Sequence, residues 1–205
     1  MTSNPQSPGH DHTTYADSVV GILLAAGEGR RFGHPKALLR GPDGETWLAR
    51  SAQSLLDGGV RSVYVVVGAS IESARAEVPD CCVIVEAADW ADGMGASLRA
   101  GLHAVALTPP SVHAAMVMLV DTPGVGADVV ARLVGRASSS ALARASYDGE
   151  PGHPVLLGRD HWGPVREQAY GDEGARGYLR QHDVSLVECA DIGSGHDVDT
   201  PEQLR

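Results

Sequence analysis

The sequence predicts an α/β fold, a single three-layer αβα domain on a mostly parallel, Rossmann-like sheet. Strand and helix signals alternate along the chain, which is the pattern of parallel strands joined by helical crossovers. The first strand signal, at 19–24, is short, continuous and apolar, as expected of a strand buried on both faces. The length of 205 residues suits one domain with one substantial core. We therefore expect this domain over 18–205, after a disordered tail over 1–17.

The first half of the chain carries the clearest periodic signals. Short apolar runs predict four strands, at 19–24, 62–67, 82–85 and 114–120. Apolar residues that recur on one helical face predict four helices, at 47–57, at 71–77, from 94 to before 109, and at 129–134. Thr46 fits the N-cap of the first of these helices, and Gly58 with Gly59 fits its end.

The second half has shorter elements and a more polar composition. Three serines at 138–140 and a turn at 147–152 precede the predicted elements. These are a short strand near 155–157, helical pieces around 160–169 and 174–181, and a last strand at 184–187. We interpret this region as the substrate-side half of the same domain.

The loop after the first strand combines three glycines with three cations: Gly27, Gly29, Gly33, Arg30, Arg31 and Lys36. Glycines allow backbone N–H groups to approach a ligand, and such groups beside cationic side chains cradle phosphate. Because Lys36 is followed by Ala37, the loop is not a P-loop, and its GxGxxxG spacing is not that of a Rossmann loop. A tight strand-to-helix turn would also use glycines, but three cations in an acidic chain favour a phosphate cradle.

Net charge and composition exclude several classes of partner. The formal net charge of −10 argues against nucleic acid or an anionic membrane as a partner. No apolar stretch approaches the roughly 20 residues needed to span a bilayer. The polar tail over 1–17 lacks the apolar region of a signal peptide. The three cysteines show no zinc or redox spacing, so we expect reduced thiols in a cytoplasmic protein.

Two aspartates in separate parts of the chain are candidates for a metal site. Asp121 follows the fourth strand, and ligands of open α/β sheets sit beyond the carboxyl ends of the strands. Near the end of the chain, Thr200 fits an N-cap, and Asp199 fits the same cap. Asp197 is not needed for that helix cap, so we favour it as the second carboxylate of the metal site. Mg²⁺ prefers oxygen ligands, usually one or two carboxylates with phosphate oxygens and water.

The motif LAAGxGxRxGxPK at 24–36 resembles the signature loop of the nucleotidyltransferases that handle the molybdenum cofactor. The resemblance is closest to the branch typified by CTP:molybdopterin cytidylyltransferase, and it extends from about 19 to 204. Five further segments carry it: GMGASLRAG at 93–101, VDTP at 120–123, GHPV at 152–155, GDEGAR at 171–176 and DVDTPEQL at 197–204. It implies the fold of the nucleotide-diphospho-sugar transferases and the transfer of a cytidylyl group from CTP to a phosphorylated pterin or similar acceptor. Pyrophosphate would be released.

The resemblance also implies a set of site residues. Lys36 and Arg30 would be catalytic, and Asp121 and Asp197 would hold Mg²⁺. The nucleotide would contact Leu24, Ala25, Ala26, Gly27, Gly29, Arg31, Gly95 and Ser97. His153 and Arg176 would bind the acceptor, although His153 also fits an ordinary loop histidine, and the segment with Gly95 and Ser97 also fits a plain helix start. Ala26 favours CTP, since guanosine-using relatives have glycine there.

The same branch includes nicotine blue oxidoreductase, so a second reaction stays open. An NAD(P)H-dependent reductase of a pyridine-derived quinone would use the glycine loop for a dinucleotide pyrophosphate. No acidic residue closes the second strand, where a ribose-binding carboxylate is expected. We therefore favour nucleotidyl transfer, with a nucleotide and a small-molecule acceptor as ligands and a molybdoenzyme maturation protein as a possible partner. A non-catalytic nucleotide sensor and a sugar-phosphate nucleotidyltransferase are the remaining alternatives.

Overall fold

The structure is a computed structural model that describes residues 18–29, 32–69, 71–200 and 203. Its strands are β1 Val19–Leu24, β2 Val63–Val67, β3 Val83–Glu86, β4 Ala114–Leu119, β5 Leu142–Tyr147, β6 Glu150–Gly158 and β7 Ser185–Glu188. They form one sheet in the order β3-β2-β1-β4-β6-β5-β7. Every neighbouring pair is parallel except those of β6, which runs antiparallel to β4 and β5. The predicted mostly parallel α/β sheet is confirmed.

Helices cover both faces of this sheet. They are α1 Trp47–Asp57, α2 Ile71–Arg75, α3 Met94–Ala106, α4 Ala127–Val134, α5 Arg159–Gln168 and α6 Arg176–Leu179. Short 3-10 turns lie at Lys36–Leu38, Trp90–Asp92 and Gly171–Glu173. No helix in the described part of the chain is long and apolar enough to cross a membrane. The predicted tail over 1–17 lies outside the described residues.

The central strand β1 shows why the core has two halves. All six of its residues are buried, and successive side chains of a strand point to opposite faces. Val19 and Leu23 pack in the core half that includes α1 and α4. Val20, Ile22 and Leu24 pack in the other half, with α3 and α5. A strand buried on both faces is the structural reason for the continuous apolar run in the sequence.

Helix α1 begins and ends where the sequence predicts. The Thr46 hydroxyl accepts a hydrogen bond from the backbone N–H of Ala49 at 3.2 Å, which satisfies one of the free donors of the first turn. Gly58 caps the last turn, and Gly59 follows with a φ of 94°, a conformation that glycine adopts without strain. The predicted Thr46 cap is confirmed.

The hairpin of β5 and β6 differs from the prediction. Only Asp148 and Gly149 form the turn, both with positive φ (53° and 84°), as a two-residue type I′ turn requires. The expected turn over 147–152 was wrong, since 150–152 already belong to β6. Strand β5 was not predicted at all, because its residues are mostly small or polar and lack an apolar run. The Asp-Gly pair is the sequence signal that could have indicated it.

Candidate active site

A cavity of about 600 Å³ opens at the carboxyl edge of the sheet, where β1 and β4 end side by side. Its lining includes seven predicted site residues: Leu24, Ala26, Gly27, Gly29, Lys36, Ser97 and Asp121. Trp90, Asp92, Asp172 and Asp199 also line it. Among these, the sequence had indicated Asp199 as a helix cap and Asp172 as part of the segment at 171–176. The location agrees with the rule that open α/β sheets bind ligands beyond their strand ends.

The glycine loop that follows β1 shapes one wall of this cavity. Gly29 has a φ of 67°, and a Cβ on it would collide with the backbone of His34, so the loop can close only with glycine there. A Cβ on Gly27 would meet no atom within 4 Å, so the space beside Gly27 belongs to the cavity. Arg30 and Arg31, the other two predicted cations of this loop, lie outside the described residues.

Lys36 is the only lysine in the sequence, and it lies at the centre of the site. Its ammonium donates to Asp121 at 2.9 Å and to Asp199 at 2.6 Å. The side chain is 14% exposed. Burial acts to lower the pKa of Lys36, but the hydrogen bonds and charges of the two carboxylates outweigh it, so the pKa is raised. Lys36 is therefore a cation at neutral pH.

The carboxylates reach Lys36 from two distant parts of the chain. Asp121 lies two residues after the end of β4, and its carbonyl accepts a hydrogen bond from Val198 N–H at 2.9 Å. That bond holds the segment with Asp197 and Asp199 beside the end of β4. The structure thus brings Asp199, rather than Asp197, into contact with Lys36. The predicted helix start at 200–201 lies partly outside the described residues.

Asp197 has a different environment from Asp199. The surrounding protein desolvates its carboxylate, and the negative charges of Asp121 and Asp199 repel it, so its pKa is raised. No hydrogen bond or ion pair joins its side chain to another described residue. Asp121 and Asp199 share the Lys36 ammonium, whereas Asp197 makes no ion pair with it. A divalent cation would neutralise the remaining negative charge of the three carboxylates. Asp197 is the carboxylate that would gain most from such a cation.

The carboxylates of the site could supply only part of the ligands that Mg²⁺ needs. Among the described residues, no three His, Cys, Asp or Glu side chains are arranged to hold a metal ion by themselves. An ion at Asp121 and Asp197 would therefore take its remaining ligands from phosphate oxygens and water. That division of ligands is the usual one for Mg²⁺ in nucleotide sites.

Helix α3 begins at the opposite wall of the cavity. Gly93, Met94 and Ser97 line the cavity. No acidic side chain lies in the first turn of α3. The positive end of the helix dipole therefore faces the cavity, and no side chain of the first turn neutralises it. Gly95 has another role, since a Cβ there would lie 2.8 Å from the backbone of Ala169 and Tyr170. It is a packing glycine between α3 and the end of α5.

Ala25 differs from its neighbours in the predicted nucleotide-binding set. Its side chain is buried in the core, and its N–H donates to the Val66 carbonyl at 2.9 Å. Ala25 therefore fixes the start of the loop against β2, while Ala26 lines the cavity.

The two predicted acceptor residues line a second, smaller cavity of about 30 Å³. It adjoins the main cavity, because Leu24 and Met94 line both. Arg144 of β5 also lines it, beside His153 and Arg176. Burial and the charges of Arg144 and Arg176 lower the pKa of His153 to about 4, so the imidazole is neutral at pH 7. Arg144 was missed from the sequence because β5 itself was missed.

Comparison with known proteins identifies the family of the chain. A MobA-like NTP transferase domain is matched over residues 21–186. The chain belongs to this family, which makes it a nucleotidyltransferase by class and confirms the resemblance seen in the sequence. Nicotine blue oxidoreductase from Paenarthrobacter nicotinovorans is 40% identical over 200 residues, covering 91% of this chain and 94% of that protein. Purine catabolism protein PucB from Bacillus subtilis (strain 168) is 26% identical over 198 residues, covering 90% and 93%.

Solved structures show the same architecture. The crystal structure of Rv0371c from Mycobacterium tuberculosis H37Rv matches with a TM-score of 0.77 and 26% identity, covering 93% of this chain and 97% of that one. A structure of Rv0371c in complex with manganese matches with a TM-score of 0.69 and 24% identity, covering 83% and 88%.

Proposed function

We propose that the protein is a magnesium-dependent nucleotidyltransferase that moves a cytidylyl group from CTP to a phosphorylated, pterin-type acceptor. The observation that carries this proposal is the cluster of Lys36 with Asp121 and Asp199 beside the glycine loop. A lysine between carboxylates at the carboxyl edge of a parallel sheet suits a metal-bound triphosphate. The manganese complex of Rv0371c supports a divalent ion in this fold.

The residues of the chain supply charge and position rather than a covalent intermediate. When the nucleotide enters, Lys36 exchanges its carboxylate partners for the β- and γ-phosphate oxygens and neutralises the leaving pyrophosphate. Backbone N–H groups of the glycine loop add further donors to the same phosphates. Asp121 and Asp197 would hold Mg²⁺, which neutralises phosphate charge when bound. The acceptor phosphate then attacks the α-phosphorus in line, which requires positioning and little protein base chemistry.

The nucleotide base would lie near the start of α3. Ala26, Ser97 and Trp90 line the cavity. They would surround the base with a small side chain, a hydroxyl and an aromatic ring. The alanine at position 26 supports a pyrimidine, and CTP is therefore the first nucleotide to test.

The decisive experiment measures pyrophosphate released from CTP. We expect release only when Mg²⁺ and a phosphorylated acceptor are both present, because the ion compensates the acidic cavity and the acceptor is the nucleophile. Asp121→Asn removes one proposed Mg²⁺ ligand. Its matched control is Asp80→Asn, which neutralises an exposed aspartate with no described role. Release that continues in EDTA, or none with any nucleoside triphosphate, would contradict the proposal.

A second candidate function rests on one observation, the 40% identity to nicotine blue oxidoreductase. In that case the glycine loop would hold the pyrophosphate of NAD(P)H, and the acceptor would be a quinone-like pigment. A reductase of this kind would oxidise NADPH in the presence of EDTA and release no pyrophosphate. Monitoring NADPH absorbance and pyrophosphate in the same samples separates the two reactions.

A further inference from the structure

The segment that carries the last two carboxylates of the site is attached at two points to the chain after β4. The N–H of Ser194 donates to the Gly124 carbonyl at 3.0 Å, and the N–H of Val198 donates to the Asp121 carbonyl at 2.9 Å. The side chain of Val198 is also buried in the core. These contacts fix the two ends of the segment 194–198, but they do not fix the path of the three residues between them.

Asp197 lies within that segment and has no polar partner to hold it. Among the described residues, no hydrogen bond or ion pair engages its carboxylate or its N–H. The neighbouring His196 donates its N–H to the Ser194 hydroxyl at 3.4 Å, which is a bond inside the segment. The position of the Asp197 carboxylate relative to Asp121 therefore depends on how Gly195 is held.

The aromatic ring of Tyr147 holds Gly195 in place. Tyr147 is the last residue of β5, and the Cδ2–Cε2 edge of its ring lies so close to Gly195 that a Cβ there would collide with it. The backbone of Gly195 is outside the left-handed region. Close approach to the ring, rather than an unusual φ, is therefore the reason for glycine at this position. The location of the ring limits the path that the segment can take.

Tyr147 is itself held by two residues of β6. Its hydroxyl donates to the His153 carbonyl at 2.8 Å. The same edge of the ring packs on Gly152, where an added Cβ would lie 2.8 Å from the ring. Burial raises the pKa of Tyr147, so the phenol keeps its proton and remains a hydrogen-bond donor. The hairpin of β5 and β6 thus determines where the ring lies.

We propose that Tyr147 is a positioning residue of the metal site, which acts through Gly195 to place the Asp197 carboxylate beside Asp121. This role rests on the proposed function, because the ion that the two carboxylates would hold is part of that proposal. Loss of a residue that orients a metal ligand typically costs about 10- to 100-fold in metal affinity. Tyr147 does not line the main cavity, so its effect on an ion there has to pass through the segment that it supports.

The test measures the binding of Mn²⁺ alone to the full chain, by the loss of the EPR signal of the free ion. Tyr147→Leu should weaken Mn²⁺ binding by about tenfold, because the segment can move into the space that the ring leaves. Tyr147→Phe keeps the ring and should bind Mn²⁺ almost like the parent, although loss of the bond to His153 should lower its unfolding temperature. Tyr64→Leu, which removes a half-buried tyrosine ring of β2 away from the cavity, is the matched control.

Two further variants separate positioning from a general loss of stability. In the Asp197→Asn background, Tyr147→Leu should weaken Mn²⁺ binding no further, because its effect passes through the carboxylate that is already absent. Gly195→Ala tests the same contact from the other side, and it gives an answer even if Tyr147→Leu fails to fold. Its methyl group meets the ring, so it should weaken Mn²⁺ binding in the parent and have little effect together with Tyr147→Leu.

The outcomes distinguish this role from the proposed function. If Asp197→Asn weakens Mn²⁺ binding while Tyr147→Leu and Gly195→Ala do not, the metal site is correct and Tyr147 has no part in it. If Tyr147→Leu weakens binding equally with and without the Asp197 carboxylate, its effect is general and the positioning role is wrong. If the parent binds no Mn²⁺, or binds it like Asp197→Asn, both assignments are wrong. Because the assay contains no nucleotide, a protein that transfers no cytidylyl group would still give the expected pattern.

Discussion

At the scale of single residues, Lys36 combines two roles that one substitution can separate. Without ligand it is the cation that Asp121 and Asp199 share, and with nucleotide it would neutralise the leaving pyrophosphate. Lys36→Ala should lower turnover by about 100- to 1,000-fold, as for the loss of one donor to a developing anion. Stability should fall by only about 1 kcal/mol, since the pair with Asp199 is well exposed to solvent.

Steady-state kinetics and thermal unfolding of Lys36→Ala measure the two effects. Arg61→Ala, an exposed cation after α1, controls for the change in net charge. Turnover and nucleotide affinity like those of the parent would exclude Lys36 from the mechanism.

The three aspartates of the site should respond differently to neutralisation. Asp121→Asn and Asp197→Asn should each raise the Mg²⁺ concentration needed for nucleotide binding by about tenfold or more, because each removes a proposed ligand. Asp199→Asn should have a smaller effect, because Asp199 acts through Lys36. Magnesium titrations of CTP binding give the comparison. If Asp199→Asn shifts the titration and Asp197→Asn does not, Asp199 is the ligand.

Two glycines of the predicted nucleotide set should give opposite phenotypes. Gly27→Ala adds a methyl group to open space, so the fold should keep its stability while nucleotide affinity falls. Gly95→Ala forces a methyl group against the backbone of Ala169 and Tyr170, which should cost about 1–3 kcal/mol of stability. Thermal unfolding and CTP titration of both variants check this. A destabilised Gly27→Ala would mean that the loop packs more tightly than described.

At the scale of elements, Glu188 at the end of β7 stabilises the hairpin turn. Its carboxylate accepts from the N–H groups of Asp148, Gly149 and Ala190 and from the Ser146 hydroxyl. These bonds, with the one from Ala190 N–H contributing most, lower the pKa of Glu188 to about 2. One carboxylate therefore joins the β5–β6 turn to the chain after β7.

The lowered pKa of Glu188 predicts a specific pH dependence. The folded state favours the carboxylate, so its contribution to stability is complete above the unfolded pKa of 4.5 and is lost as pH falls towards about 2. Glu188→Gln should unfold at a lower temperature than the parent at pH 7, and the difference should shrink between pH 4.5 and 2. Glu150→Gln, on the same hairpin, should show no such trend. A constant difference at every pH would disprove this assignment.

Strand β5 shows what local pattern can and cannot predict. Its core-facing residues are largely alanines, and a half-buried arginine and a serine interrupt them, so no hydrophobic period appears. The elements with continuous apolar runs or strong helical stripes, such as β1, β4 and α1, were predicted to within a residue or two. Strand β5 forms because it pairs with β6 and β7. That pairing depends on residues outside the strand, so the sequence of β5 alone does not indicate it.

The same distinction applies to the candidate site, where some of the residues in contact are far apart in the sequence. The glycine loop and Asp121 could be placed together from the sequence, because both follow parallel strands. The contact between Lys36 and Asp199 spans 163 residues and depends on how the last segment turns. That turn is set by the Val198 bond to Asp121 and by Gly195, which packs on the Tyr147 ring. Neither is visible in a local pattern.

At the scale of the whole molecule, the charges of the described cavity lining favour a nucleotide that carries a divalent cation. The described lining of the main cavity has one cation, Lys36, and five acids: Glu28, Asp92, Asp121, Asp172 and Asp199. Arg30 and Arg31 of the glycine loop lie outside the described residues, and we expect Mg²⁺ to compensate part of the acidic charge when a triphosphate binds. With Mg²⁺ and CTP at 100 times the dissociation constant, stabilisation should approach about 2.7 kcal/mol, or about 5–10 °C in Tm.

The thermal shift should nearly vanish when EDTA replaces Mg²⁺, because the ion compensates the cavity acids. GTP and NADPH, each with and without Mg²⁺, complete the measurement. A shift with NADPH that is unchanged by EDTA would favour the reductase, and an EDTA-resistant shift with CTP would contradict the proposed role of the ion.

The presence of only one lysine in the sequence has a practical consequence for anyone who handles this protein. Amine-coupled biosensor surfaces, lysine cross-linkers and most fluorescent labelling kits react with lysine side chains and with the chain's amino terminus. Here the one lysine that such reagents could modify lies in the candidate site, where its ammonium is paired with Asp121 and Asp199. The same property makes reductive ¹³C-methylation a site-specific probe, because one dimethyl-lysine resonance would report whether the pocket is occupied.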